Sequence, residues 1–292
     1  MKAVFSALQL GHAPSRFLSK GYLVSYPESP ERARVLLEGA RQAGAQICAA
    51  RRHDPAALTG IHDSSYVAFL QSADADWSEQ EGAAPELMPS LREMVPASVM
   101  PEHIMARAGR HLMDFSCAIT EKTWTAVQAS AMTALTSAEL VANGEPVSYA
   151  LCRPPGHHAY AAHAGGFCYL NNTALAAQRL RQVHDRVAVL DIDVHHGNGT
   201  QSIFYARPDV LTVSIHADPV HYYPFYWGGA EETGEGEGRD FNLNLPVAVG
   251  SGDDAWMAAT ERALARIAAY RPGALVIALG LDAHESDPLR GG

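Results

Sequence analysis

The sequence is short of positive charge: lysine occurs only as Lys2, Lys20 and Lys122, and Lys plus Arg total 22 against 32 Asp plus Glu, a formal net charge of −10. Such a chain lacks the basic footprint that phosphate backbones require, so no nucleic-acid partner is expected and a cationic ligand is compatible. Cysteine is scarce too. Cys48, Cys117, Cys152 and Cys168 form no Cys-x-x-Cys pair and are too few for a disulfide scaffold, so they read as reduced core or pocket thiols. Long apolar runs are also missing. The opening "MKAVFSALQLGHAPSRF" is interrupted at His12 and Pro14 before a signal-peptide core forms, and no window approaches the roughly 20 apolar residues of a membrane span. No membrane partner is expected, and the expected location is the cytoplasm. What is present is a chain of 292 residues, 47% hydrophobic, enough for one large α/β domain spanning residues 1–292.

Along the chain apolar runs alternate with helical patterns, which predicts a parallel sheet wrapped by helices. Met1 to Ser6 reads as a first strand. The stretch "SPERARVLLEGARQAG" (29–44) reads as a helix with Glu31 in its first turn, Leu36 and Leu37 on one face and Gly44 at its end. "DSSYVAFLQSA" (63–73) reads as a short helix behind an Asp cap, and "TWTAVQASAMTALTSAELVANG" (123–144) is a long helix of small residues stopped by Asn143-Gly144. Residues 74–115 carry scattered Pro and Met with no clear period, and are expected to be an insertion or long loop that makes a homodimer contact and narrows a site's rim.

Three strand-like runs end in chemistry. "VSYALC" (147–152) runs into "RPPGHHA", "RVAVL" (186–190) into "DIDVHHGNG", and "ALVIALG" (274–280) into "LDAHESD". Ligands of open parallel sheets sit at the carboxyl ends of strands, so the three clusters are expected to share a crevice. Residues two apart on a strand face the same side, which would project Asp191, Asp193 and His195 together and turn Ile192 and Val194 away. Two carboxylates beside an imidazole repel unless a cation joins them. Asp and His suit zinc, three protein ligands with an open position mark a catalytic site, and Asp282 is the best third ligand to Asp193 and His195. The competing reading makes these residues helix caps and satisfied core histidines.

At this point the chain resembles the zinc-dependent histone deacetylase superfamily, with its bacterial acetylpolyamine amidohydrolases. The resemblance rests on "PESPERA" (27–33), "IHDSSYVAFL" (61–70), "CRPPGHHA" (152–159), "GGFCYLNN" (165–172), "DIDVHHGNGTQ" (191–201), "VSIHAD" (213–218), "EETGEGEG" (231–238) and "LGLDAHESDP" (279–288), in the expected order over most of the chain. It implies the arginase–deacetylase α/β fold, a central, mostly parallel sheet of about eight strands between helices, in agreement with the alternation above.

Residue by residue, the resemblance matches Asp193, His195 and Asp282 to zinc ligands, with Fe²⁺ or Co²⁺ as alternative ions. It matches His158 to the general base and acid, and His157 to its electrostatic partner, held by the buried carboxylate of Asp191. Asn198 stands where some deacetylases carry a second aspartate; it would orient His158 yet stabilise the imidazolium less, or shape a left-handed turn. Gly166, Phe167 and Tyr223 match the walls of a narrow acyl-amine channel, and Asp191, Asp193, His195, Ser214 and Ile215 match a structural potassium site. The chain stops at "DPLRGG", before the family's Gly-Gly-Tyr segment, whose tyrosine polarises the substrate carbonyl. On that basis an oxyanion donor is expected to be missing and turnover to be impaired, with Tyr222 or Tyr223 as a substitute donor. The leading expectation is a zinc-dependent amidohydrolase acting on small acylated amines, acetylpolyamines first. A protein acetyl-lysine deacetylase and a catalytically silent metal or acyl-amine binder are the alternatives.

Overall fold

Short unbroken apolar runs favour strands buried on both faces, and the Ala- and Leu-rich stretches between them favour helices. In the computed structural model, which describes residues 1–94, 99 and 101–287, both expectations are met, and the chain is of the α/β class. It divides into two units, Met1–Leu175 and Ala176–Gly292.

The first unit opens with β1 (Lys2–Phe5), a hairpin of β2 (Arg16–Ser19) and β3 (Tyr22–Ser25), α1 (Pro30–Gln42) and β4 (Gln46–Ala49). It continues through α2 (Ala56–Thr59), α3 (Ser64–Ser78), α4 (Ile104–His111), α5 (Thr123–Ala142) and β5 (Ser148–Ala150). β1 is the middle strand, parallel to β4 and β5. α1 starts with Pro30, whose fixed φ suits the first helical position, and ends where Gly44 takes φ +75° and lets the Ala45 N–H reach the Ala40 carbonyl at 2.9 Å. α5 buries small residues along most of its length, which lets it lie close on β1 and β5.

The expected long loop at 74–115 is overturned at both ends, since 74–78 complete α3 and 104–111 form α4. α4 buries Ile104, Ala108 and His111, an i, i+4, i+7 stripe in which a histidine replaces an apolar residue and hides the period. Arg107 ties α4 to α3 through Asp76 at 2.6 Å and Ser72 at 3.0 Å. Residues 95–98 and 100 of that stretch lie outside the described residues.

The chain enters the second unit along α6 (Asn172–Arg181) and continues as β6 (Val187–Asp191), α7 (Asn198–Phe204), β7 (Val210–Ala217), β8 (Asn242–Val247), α8 (Asp253–Tyr270) and β9 (Ala274–Ala278). The four strands are parallel in the order β8-β7-β6-β9, and every residue of β6 and β7 is buried. α8 lays Ala259, Ala263, Ile267 and Tyr270 on the face formed by Ala188, Leu190, Leu211, Val213, Ile215 and Leu245. The alanines admit the helix closely, and burial of Ile267 alone stabilises by about 1.5–3 kcal/mol. Among the described residues the two sheets hold three and four parallel strands, seven against the expected number of about eight.

Chain order builds outward from β6 to β7 and β8, then returns to place β9 on the other side of β6. That reversal makes the carboxyl ends of β6 and β9 a topological switch point, the usual ligand position in such sheets. Asp191 pairs in register with Ser214 of β7 and Ala278 of β9, so the polar residues that follow β6 and β9 leave the sheet at one level. No described helix is long and apolar enough to cross a membrane.

Candidate functional site

β6 ends at Asp191, so strand pleating does not gather Asp193 and His195 as the sequence suggested. Two side-chain-to-backbone bonds do. The Asp193 N–H donates to Asp191 Oδ1 at 3.1 Å, and the His195 N–H donates to Asp193 Oδ1 at 2.8 Å. Each aspartate thus closes a local turn two residues on, a conformation these short carboxylates favour over continued extension. Asp191 itself stays inside, 2% exposed. Beyond β9, Asp282 accepts the Val194 N–H at 3.1 Å and stands 3.0 Å from His195 Nδ1, which is also 2.9 Å from Asp193 Oδ1. Potential ligand atoms of Asp193, His195 and Asp282 all lie within 4.8 Å of one another. A residue that sequence reasoning missed makes this approach feasible. A Cβ on Gly280 would fall 2.3 Å from Asp193 Oδ2 and 2.5 Å from its Cα, so only glycine lets the segment after β9 pass there.

Burial disfavours the charged form of His195, but hydrogen bonds and charges from Asp193 and Asp282 outweigh it and push its pKa up to about 10. The cluster therefore selects a positive charge. A divalent ion would satisfy it by displacing that proton, and two carboxylates with one imidazole are a donor set suited to zinc, iron(II) or cobalt(II).

Tyr222 lies nearly flat against His195, with centroids 5.1 Å apart and planes at 29°, whereas Tyr223 meets it edge-on at 5.9 Å. Burial, then the charges of Asp282 and Asp193, push the Tyr222 hydroxyl up to about 12. Sequence reasoning named Tyr223 as a channel wall and either tyrosine as a substitute donor, but not the stacking of Tyr222 on His195. Their loop is held by residues whose roles sequence reasoning missed. Glu232 accepts the N–H groups of Gly228 and Gly229 and a bond from Gln201, while Gly228, at φ +110°, passes too close to His196 and His216 to carry a side chain. The only advance signal was that Gln201 and Glu232 sit inside distinctive segments.

Asn198 opens α7 behind Gly197, whose φ is −75°, and the Gln201 N–H closes the first turn on the Gly197 carbonyl at 2.9 Å. The Gly-Asn-Gly segment is therefore a helix start, not a left-handed turn, because its backbone groups are taken up by the helix. Ser214 Oγ bonds His216 Nδ1 at 2.8 Å, and Ile215 is fully buried among the residues facing α8. Asp191, Thr200, Gln201, Ser214, Asn242 and Asn244 line a small cavity of about 10 Å³.

The first unit holds the tandem histidines. His157 and His158 are 7% and 3% exposed, with ring centroids 4.0 Å apart. Their loop starts at Arg153, buried against Glu28 at 3.0 Å and bonded to the carbonyls of Gln9, Glu28 and Ser29. It ends on Asn171, which donates to the Ala159 carbonyl and accepts the Ala174 N–H at the head of α6. Burial pulls the His62 pKa down to about 4, so its ring is neutral: Nδ1–H donates to the Tyr160 carbonyl at 3.0 Å and Nε2 accepts the Asn171 N–H at 2.9 Å. Glu28, His62, Arg153 and Asn171 are struts that the sequence quoted in motifs without assigning a purpose. Gly166 and Phe167 form a tight turn at φ +54° and +66°, and a Cβ on Gly166 would lie 2.2 Å from His158 Cδ2. Phe167 packs edge-on against Phe17 and Tyr26.

Comparison with known proteins agrees in one direction. A family model described as histone deacetylase domain matches residues 26–291. The chain is 43% identical to an acetylpolyamine amidohydrolase of Burkholderia pseudomallei over 99% of this chain and 84% of that protein. It is 42% identical to acetylpolyamine amidohydrolase 1 of Pseudomonas aeruginosa over 99% of this chain and 85% of that one. A crystal structure of acetylpolyamine aminohydrolase from Burkholderia pseudomallei superposes with a TM-score of 0.95, covering 99% of this chain and 84% of that chain at 43% identity.

Proposed function

This chain belongs to the histone deacetylase domain family, and we infer that it is a metal-dependent amidohydrolase that removes acetyl groups from the amines of acetylpolyamines. The observation that carries the reading is the Asp193–His195–Asp282 cluster beyond the carboxyl ends of β6 and β9. The net charge of −10 suits a substrate that retains a second, cationic amine.

Asp193, His195 and Asp282 hold the metal, with zinc as the first choice. When bound, the ion supplies Lewis acidity, which polarises an amide carbonyl and eases ionisation of water. His158 takes a proton from the attacking water and later delivers it to the departing amine nitrogen. Its neighbour His157, whose ring centroid lies 4.0 Å away, takes the electrostatic role on the motif match. Asp191 and Asn198 keep orienting roles on the motif match alone. Gly166, Phe167 and Tyr223 are assigned to the walls that clasp the aliphatic chain and exclude water. A structural potassium is assigned to Asp191, Asp193, His195, Ser214 and Ile215. In its support, Asp191 and Ser214 are buried at one register of β6 and β7 and both line the 10 Å³ cavity. The active form is a homodimer in which a second copy covers Leu91, Met94 and Val99, all exposed on the 74–115 segment. A monomeric mass in solution would remove that element.

The deciding experiment compares turnover of acetylputrescine and of an acetyl-lysine peptide by the zinc-loaded protein. Faster release of acetate from acetylputrescine supports the reading, and peptide-only turnover replaces it with protein deacetylation. Tight hydroxamate binding without turnover of either substrate makes the chain a binder.

A further inference from the structure

Gly165 and Cys168 exchange both backbone hydrogen bonds, at 3.0 and 2.9 Å, so Gly166 and Phe167 are the central pair of a two-residue hairpin turn. Their φ angles, +54° and +66°, are the left-handed pair such a turn requires. Glycine accepts this freely. A phenylalanine does not, and a bulky residue persists there only when its surroundings over-determine it.

The constraint comes from 52 residues upstream. Asp114 Oδ2 accepts the Gly166 N–H at 3.1 Å, and Ser116 Oγ accepts the Phe167 N–H at 3.0 Å. Ser116 in turn donates its hydroxyl and its N–H to Asp114 Oδ1, at 2.5 and 2.9 Å. One carboxylate–hydroxyl unit thus captures both successive N–H groups of the turn. The Ser116 carbonyl also accepts the Tyr26 hydroxyl at 2.7 Å, and Tyr26 packs on the Phe167 ring at 5.1 Å. On its other side the turn lies directly on His158, since a Cβ on Gly166 would fall 2.2 Å from that ring.

Resting on the deacetylase reading above, we propose that Asp114 and Ser116 are positioning residues that lock the Gly166–Phe167 turn, and that this clamp sets acyl-chain selectivity by fixing the Phe167 ring and backing His158. Three donors converge on the two carboxylate oxygens of Asp114, so an amide at that position turns an NH₂ toward a donor and breaks half the clamp. A threonine at position 116 keeps the hydroxyl, and an alanine removes it.

The test uses the full chain as wild type, Ser116→Ala, Ser116→Thr and Asp114→Asn. Exchange of the Gly166 and Phe167 amide hydrogens is followed alongside kcat and KM of the zinc-loaded proteins for acetylputrescine and its butyryl analogue. Ser116→Ala and Asp114→Asn are expected to speed exchange of both amides by about tenfold or more. They should also lower kcat/KM for the acetyl substrate by roughly tenfold, the consequence of a displaced wall. The acetyl-to-butyryl preference should change by at least about threefold, and Ser116→Thr should restore all three readouts. Equal proportional losses on both substrates with KM unchanged would mean a smaller active fraction and would overturn the proposal. If the wild type hydrolyses neither substrate, the deacetylase reading fails, and amide exchange still decides the clamp: protection of Gly166 and Phe167 that survives in Ser116→Ala refutes it.

Discussion

Gly280→Ala tests whether the segment after β9 shapes the metal cluster. The φ of Gly280 lies outside the left-handed region, so alanine is conformationally acceptable and the penalty is one of contact. The added methyl would meet Asp193 Oδ2 at 2.3 Å and Asp193 Cα at 2.5 Å. Restoring ordinary contact requires a shift of about 1 Å, and the Cα, unlike the carboxylate tip, cannot swing aside. Overpacking of this kind costs about 1–3 kcal/mol, small enough for the protein to stay folded. Ligand distances in a metal site tolerate only about 0.2 Å, so a 1 Å displacement of Asp193 should weaken the ion's hold by roughly 10–100-fold. The assay is zinc affinity by competition with a chromophoric chelator, with Asp193→Ala as the reference that abolishes binding. Far-ultraviolet circular dichroism checks that the fold is retained. Wild-type zinc affinity in a folded Gly280→Ala protein would refute the reasoning, because the methyl must then be accommodated without moving Asp193.

His158→Ala should retain zinc and lose nearly all turnover, about 10²–10⁴-fold, whereas His157→Ala should lose less; steady-state rates in the reverse order would exchange the two roles. Glu28→Ala should destabilise the first unit by about 3–5 kcal/mol, because it strands the buried Arg153 guanidinium without its carboxylate; a urea midpoint within error of wild type contradicts this. Asp209 is held down to about 2, first by its hydrogen bond to Arg207 and, against burial, also by Arg181. Its folded pKa lies below the unfolded value, so its contribution is complete at neutral pH and is lost as pH falls from about 4 through about 2. Discounted for its exposure, Asp209→Asn should cost about 1 kcal/mol at pH 7, with the cost shrinking toward zero as pH falls below about 2; a difference independent of pH in chemical denaturation would rule out the charge as its source.

The sequence by itself determined the α/β class, the helices at 30–42 and 123–142 to within a few residues, the start but not the end of the helix at 64–78, and the identity of the three candidate ligands. These were legible because they depend on local period, on caps and breakers, and on the chemical cost of placing two carboxylates beside a histidine at strand ends. Only the tertiary structure decided how the ligands meet. Strand pleating was the wrong reason for the proximity of Asp193 and His195; two side-chain turns after β6 are the right one, and such turns leave no period to read. Helix α4 was hidden because His111 fills an apolar position of its buried stripe. The roles of Gly280, Glu232, His62, Asp114 and Ser116 were equally out of reach. Apart from Glu232, which holds the N–H groups of Gly228 and Gly229 in its own loop, each acts on a residue far away in the chain, through a close approach or a hydrogen bond that exists only once sheet order and loop packing have brought the two segments together.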